Sequence, residues 1–97
     1  MSVYTQVIVS YDIADTKKRN KLFGELKDLG LKPIQKSVFW GYLLASEKRV
    51  VKLLFEKYCE VDSDKAFIIN ATLDSNLDGC FGYDSEDFQH PEGYTII

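Results

Sequence analysis

Two dense apolar runs, Val3–Tyr11 and Lys65–Leu73, bracket two helix-period patterns, and this arrangement constrains the fold more than any other feature of the chain. In VYTQVIVSY, β-branched and aromatic residues crowd together with Thr5, Gln6 and Ser10 as the polar interruptions, so the run reads as a buried central strand. Leu22, Leu26 and Leu29 then recur at i, i+4 and i+7, the spacing of one helix face; Asp15 or Thr16 can cap that helix and Gly30 can end it. Leu31–Phe39 reads as a second strand, with Pro33 near its start, where a missing N–H is tolerated. Gly41 permits a tight connection, and Tyr42–Ala45 follows as a third strand. Glu47–Tyr58 is a second amphipathic helix, capped by Ser46, with Val50, Val51, Leu53, Leu54 and Tyr58 turned inward. KAFIINATL is the fourth strand.

The order β-α-β-β-α-β is that of an α+β ferredoxin-like sandwich, an antiparallel sheet with both helices on one face. The opposite sheet face then needs a cover. A second copy of the chain, packed sheet to sheet as a homodimer, is the simplest one. Residues 1–73 form the expected core and 74–97 a C-terminal extension. In that extension Gly79, Gly82 and Gly93 break the pattern, and Tyr94–Ile97 reads as a short strand that adds to a sheet edge, its own or a partner's.

Charge divides the chain. Residues 1–36 carry seven Lys/Arg against four Asp/Glu, residues 37–72 carry five of each, and residues 73–97 carry six acids with no Lys or Arg. The net charge of −3 therefore hides a basic front and an acidic tail. No apolar run is long enough to span a membrane, and the start lacks a basic-then-apolar leader, so the expected location is cytoplasmic with no membrane partner. Cys59 and Cys80 have no C-x-x-C spacing and read as reduced thiols.

The chemistry-bearing segment is VIVSYDIADTKKRNKL. Asp12 ends the first strand, and Lys17, Lys18, Arg19 and Lys21 follow within two helical turns. A carboxylate there can hold a hard cation such as Mg2+ or accept N–H bonds in the strand-to-helix turn. Four cations at a helix start oppose the positive end of the macrodipole, and an anionic partner relieves that cost. Arg19 can grip a phosphate with two bonds, while Lys36 and Ser37 can add contacts from the second strand. Asp74–Gly79 imitates the opening of a calcium loop, but Ser85 stands where the closing glutamate belongs, so a glycine-bearing turn is expected. His90 is the only histidine, which gives no support to zinc or histidine-based catalysis.

Together, YDIADTKKRNKL and GLKPIQKSVFWGYL resemble the CRISPR-associated Cas-two family over roughly residues 4–72. The resemblance implies a ferredoxin-like homodimer, metal-dependent nuclease activity on RNA or DNA, and a role as the scaffold of spacer integration beside an integrase subunit. It implies that Asp12 is catalytic and binds magnesium jointly with its twin across the dimer axis. Arg19 corresponds to the family's helix arginine, and Ser37 and Phe39 to its S-V-F strand. Lys17, Lys18, Arg19, Lys21, Lys36 and Ser37 are then expected to contact nucleic acid, either duplex DNA or RNA. A scaffold gripping phosphates should bind with steep salt dependence. Two alternatives remain open: a toxin-type endoribonuclease of the same fold, and a small-molecule regulatory ferredoxin-like domain, which leaves the cations at 17–21 unexplained.

Overall fold

The computed structural model describes residues 3–74, 76–88 and 95–96. Its elements are β1 (Val3–Asp12), α1 (Thr16–Asp28), β2 (Lys32–Gln35), β3 (Val38–Leu43), α2 (Ala45–Tyr58), β4 (Lys65–Asn70), a 3-10 turn at Ser85–Phe88, and β5 (Thr95–Ile96). The sheet order β2-β3-β1-β4 places β1 at the centre, antiparallel to β3 and β4. This is the α+β, ferredoxin-like arrangement expected from the element order. β5 adds in parallel to the start of β1, with Thr95 opposite Val3 and Ile96 opposite Tyr4; Tyr94 and Ile97 lie outside the described residues.

The pleat of β1 sorts its side chains. Val7, Val9 and Tyr11 are buried under the helices with Phe39 and Leu43 of β3, Leu22 and Leu26 of α1, and Val51, Leu54 and Tyr58 of α2. A buried leucine or valine is stabilised by about 1.5–3 kcal/mol relative to exposure, so this layer dominates the fold. Tyr58 crosses between the helices, its hydroxyl donating to the Glu25 carboxylate. Gly41 stands in the middle of β3, because an added Cβ would lie 2.8 Å from Leu31 Cδ2. It is a packing glycine and does not turn the chain.

The turn lies earlier, at Lys36-Ser37, so Leu31–Phe39 and Tyr42–Ala45 are not the strand limits. Ser37 takes φ 64°, a left-handed conformation that glycine or asparagine usually supplies, and this hides the turn in the sequence. In α2 the cap is also displaced. Leu44 is the N-cap residue, and the Glu47 carboxylate accepts its backbone N–H at 2.8 Å, while Ser46 lies inside the helix. Val50 and Leu53 face outward, with Leu53 62% exposed, so the inward face is narrower than the sequence suggests. Strand four stops at Asn70, where the Gln6 carbonyl accepts Ala71 N–H at 3.0 Å and its side-chain oxygen accepts Leu73 N–H at 3.3 Å.

Neither α1 nor α2 covers the other sheet face. Cross-strand register puts Ile8 beside Trp40 and Ile69, and Ser10 beside Val38 and Phe67, all on that side. Phe67 and Ile69 remain 49% and 51% exposed. At the β3 end the extension folds back: Phe88 meets Trp40 and Tyr83 at ring-centroid distances of 5.3 and 5.2 Å. Tyr83 donates to the Ile34 carbonyl and Lys32 to the Glu86 carbonyl, both at 3.0 Å. Trp40 is thereby buried, its indole N–H left without a hydrogen-bond acceptor among the described residues. Asp74–Gly79 forms the expected turn, with Leu77 N–H bonded to the Asp74 carbonyl at 2.8 Å and Gly79 at φ 84°. His90 lies outside the described residues.

Candidate nucleic-acid and metal site

The site begins where β1 stops. Asp12 is exposed, directly opposite Lys65 of β4, beside a small cavity of about 100 Å³ that Ser10 and Phe67 also line. Its carboxylate has no hydrogen-bond or ion-pair partner among the described residues. Two other aspartates do the turn-forming work that Asp12 could have done. Asp15 caps α1, accepting Lys18 N–H at 2.8 Å. Asp64, from the α2–β4 loop, accepts Ala14 N–H at 3.1 Å and Glu60 N–H at 2.8 Å. Those two bonds stabilise the carboxylate form and hold the Asp64 pKa below its ordinary 3.8.

The cations expected at this site divide into two groups. Lys18 is ion-paired with Glu60, which raises its pKa. Arg19 is turned onto its own loop, donating to the Ile13 carbonyl at 3.0 Å and the Thr16 hydroxyl at 3.2 Å. Lys17, Lys21 and Lys36 are exposed and have no ion pair among the described residues.

Chain folding brings Arg19, Lys36 and Ser37 together with Tyr11, Asn20 and Phe23 around an open cleft of about 230 Å³ between α1 and the β2–β3 hairpin. Tyr11 is 5% exposed, and its N–H bonds the Ser37 carbonyl at 3.2 Å. Burial pushes its phenol pKa up, against the opposing effects of a Ser37 side-chain hydrogen bond and the Arg19 charge. Tyr11 and Asp12 are neighbours on a pleated strand, so their side chains leave on opposite sheet faces. The expected residues therefore form two sites at one end of the sheet: Asp12 on the open face and Arg19, Lys36 and Ser37 on the helix side.

Asp64 and Tyr11 are the residues that the sequence reading missed. Asp64 lies 50 residues from its Ala14 partner, and nothing local signals that link. Tyr11 was visible beside Asp12, but its part in the cleft depends on where the hairpin turns.

Known proteins resemble this chain in sequence and in fold. The family model for CRISPR associated protein Cas2 matches residues 5–77. A Francisella tularensis subsp. novicida protein named CRISPR-associated endoribonuclease Cas2 1 is 38% identical over 98 aligned positions, covering 100% of both chains. The chain belongs to the Cas2 family. A Korarchaeum cryptofilum Cas2, also named an endoribonuclease, is 38% identical over 60 residues, which is 62% of this chain and 64% of that protein. A crystal structure of a Cas2 protein superposes with a TM-score of 0.62 at 25% identity, covering 84% of this chain and 91% of the other. A hypothetical protein from Thermus thermophilus gives 0.65 at 28% identity over 71% and 83%. Membership in the Cas2 family makes the function CRISPR-associated, and the segments carrying Asp12 and Ser37 lie within the matched region. Among the described residues, no helix is long and apolar enough to cross a membrane.

Proposed function

We propose that this Cas2-family chain serves CRISPR spacer acquisition as a homodimer and cleaves a phosphodiester of RNA or DNA with Mg2+ held at Asp12. The observation that carries this reading is the Asp12 carboxylate, which has no partner among the described residues and stands exposed at the strand end while Asp15 and Asp64 satisfy the neighbouring backbone N–H groups. A structural aspartate would be expected to accept those bonds itself.

The donor chemistry fits a hard cation, since magnesium sites commonly use one or two carboxylates completed by waters and substrate phosphate. Among the described residues no three His, Cys, Asp or Glu side chains gather into a cage. One chain therefore offers one carboxylate, and a second copy seated on the apolar open face would offer the other. A bound divalent ion supplies Lewis acidity and a more acidic water. Lys17, Lys21 and Lys36 draw the polyanion in through its phosphates, and Arg19 holds the loop between Asp12 and α1 in place.

A second reading, a non-catalytic duplex-DNA scaffold that docks an integrase, is favoured by those three unpaired lysines. Phosphate contacts alone give binding without sequence readout. The test is cleavage of labelled RNA and duplex DNA in Mg2+ or EDTA, wild type against Asp12→Asn, with gel-shift binding alongside. Cleavage that needs Mg2+ and falls at least about a hundredfold in the variant is the expected result for a metal ligand. Binding by both proteins with cleavage by neither overturns the nuclease reading and leaves the scaffold.

A further inference from the structure

We infer that the cleft between α1 and the β2–β3 hairpin is a base-stacking subsite, in which Phe23 takes one unpaired nucleobase while Lys36 and Arg19 face the adjoining phosphate. The inference rests on the proposed nucleic-acid function and names the part of the ligand that this side of the sheet would recognise.

Phe23 is 37% exposed on α1, at the cleft. Its ring stands edge-on to Phe39 at 5.1 Å and 63°, and Phe39 is completely buried. The exposed ring is thus braced from below by the core, so the ring itself need not move to act as a platform. A half-covered phenylalanine on a helix is ordinary in itself. What distinguishes this one is its company: Arg19 and Lys36 line the same cleft, no acid does, and the Asn20 amide has no partner among the described residues.

Two cations without an acid select an anion, and an aromatic platform beside them selects a flat ring attached to that anion. A nucleotide unites both; an acidic peptide or a free phosphate uses only the cations. Arg19 spends two of its five donors on Ile13 and Thr16, so its planar group is held in place with donors to spare. Lys27 Nζ lies 5.8 Å from the Phe23 ring centroid. An exposed cation–π contact is weaker than base stacking, so a base displaces the ammonium and frees it for a second phosphate. A paired base keeps both faces inside its own duplex, so the ligand class is a single strand or an unpaired end.

Binding in EDTA separates recognition from cleavage. Three labelled probes of equal length are titrated: a single-stranded RNA, its abasic counterpart and a duplex. Wild type should bind the single strand best. Phe23→Leu, which keeps the packing on Phe39 but removes the π face, should weaken single-strand binding about tenfold and leave the abasic and duplex probes unchanged. Phe23→Tyr should restore it, and Lys36→Ala should weaken all three. Equal loss on every probe, or no loss with Phe23→Leu, overturns the stacking subsite. Wild type binding all three probes equally also overturns it and spares the nucleic-acid reading. Wild type binding none overturns both.

Discussion

Asp64 shows how a single carboxylate can shape a site it does not enter. It ties the α2–β4 loop to Ala14, two residues beyond Asp12, through bonds that favour its ionised form. Because its folded pKa is depressed, its contribution to stability is complete above the unfolded value near 3.8 and is lost as pH falls through the lower folded value. Asp64→Asn should lower the urea midpoint at pH 7, and the gap to wild type should narrow as pH falls below 3.8, as unfolding curves across the acid range would show. The exposure of Asp12 was legible, since a strand end before a basic helix announces an exposed acid. Its freedom from backbone bonds was not, because the sequence cannot say which of Asp12, Asp15 and Asp64 accepts which N–H.

At the level of elements, α1 contains a residue with no evident packing purpose. Gly24 lies mid-helix, and an added Cβ would meet nothing within 4 Å. Gly24→Ala should stabilise the chain by about 0.5–1 kcal/mol, read as a higher urea midpoint with an unchanged slope. The two interior glycines of the fold thus differ in kind, since Gly41 is pressed against Leu31 and Gly24 is open. The helices and β1 were legible because their apolar periods extend over many residues. The hairpin was not: its turn uses Ser37 in a glycine-like conformation, while Gly41 offers a false turn signal four residues later. That displacement moved Lys36 and Ser37 from a strand to the rim of a cleft. It also explains why their meeting with Tyr11 and Phe23 could not be foreseen.

For the whole molecule, the decisive asymmetry is between the two faces of the sheet. One is sealed by α1 and α2, whereas the other shows Phe67 and Ile69 half-exposed beside the tail-covered Trp40. If a second copy seats there, Ile69→Asp should convert the dimer to a folded monomer in sedimentation with far-UV circular dichroism unchanged. Val61→Asp should leave the dimer intact, because Val61 is 94% exposed in the α2–β4 loop, away from that face. The acidic extension has its own measurable state. Trp40 is the sole tryptophan, and its indole is roofed by Phe88. Its emission therefore reports on one place alone. Phe88→Ala should shift that emission to longer wavelength without unfolding the sheet. The chain carries an optical gauge of whether its own tail is closed, readable without any label and during the same titration that follows assembly.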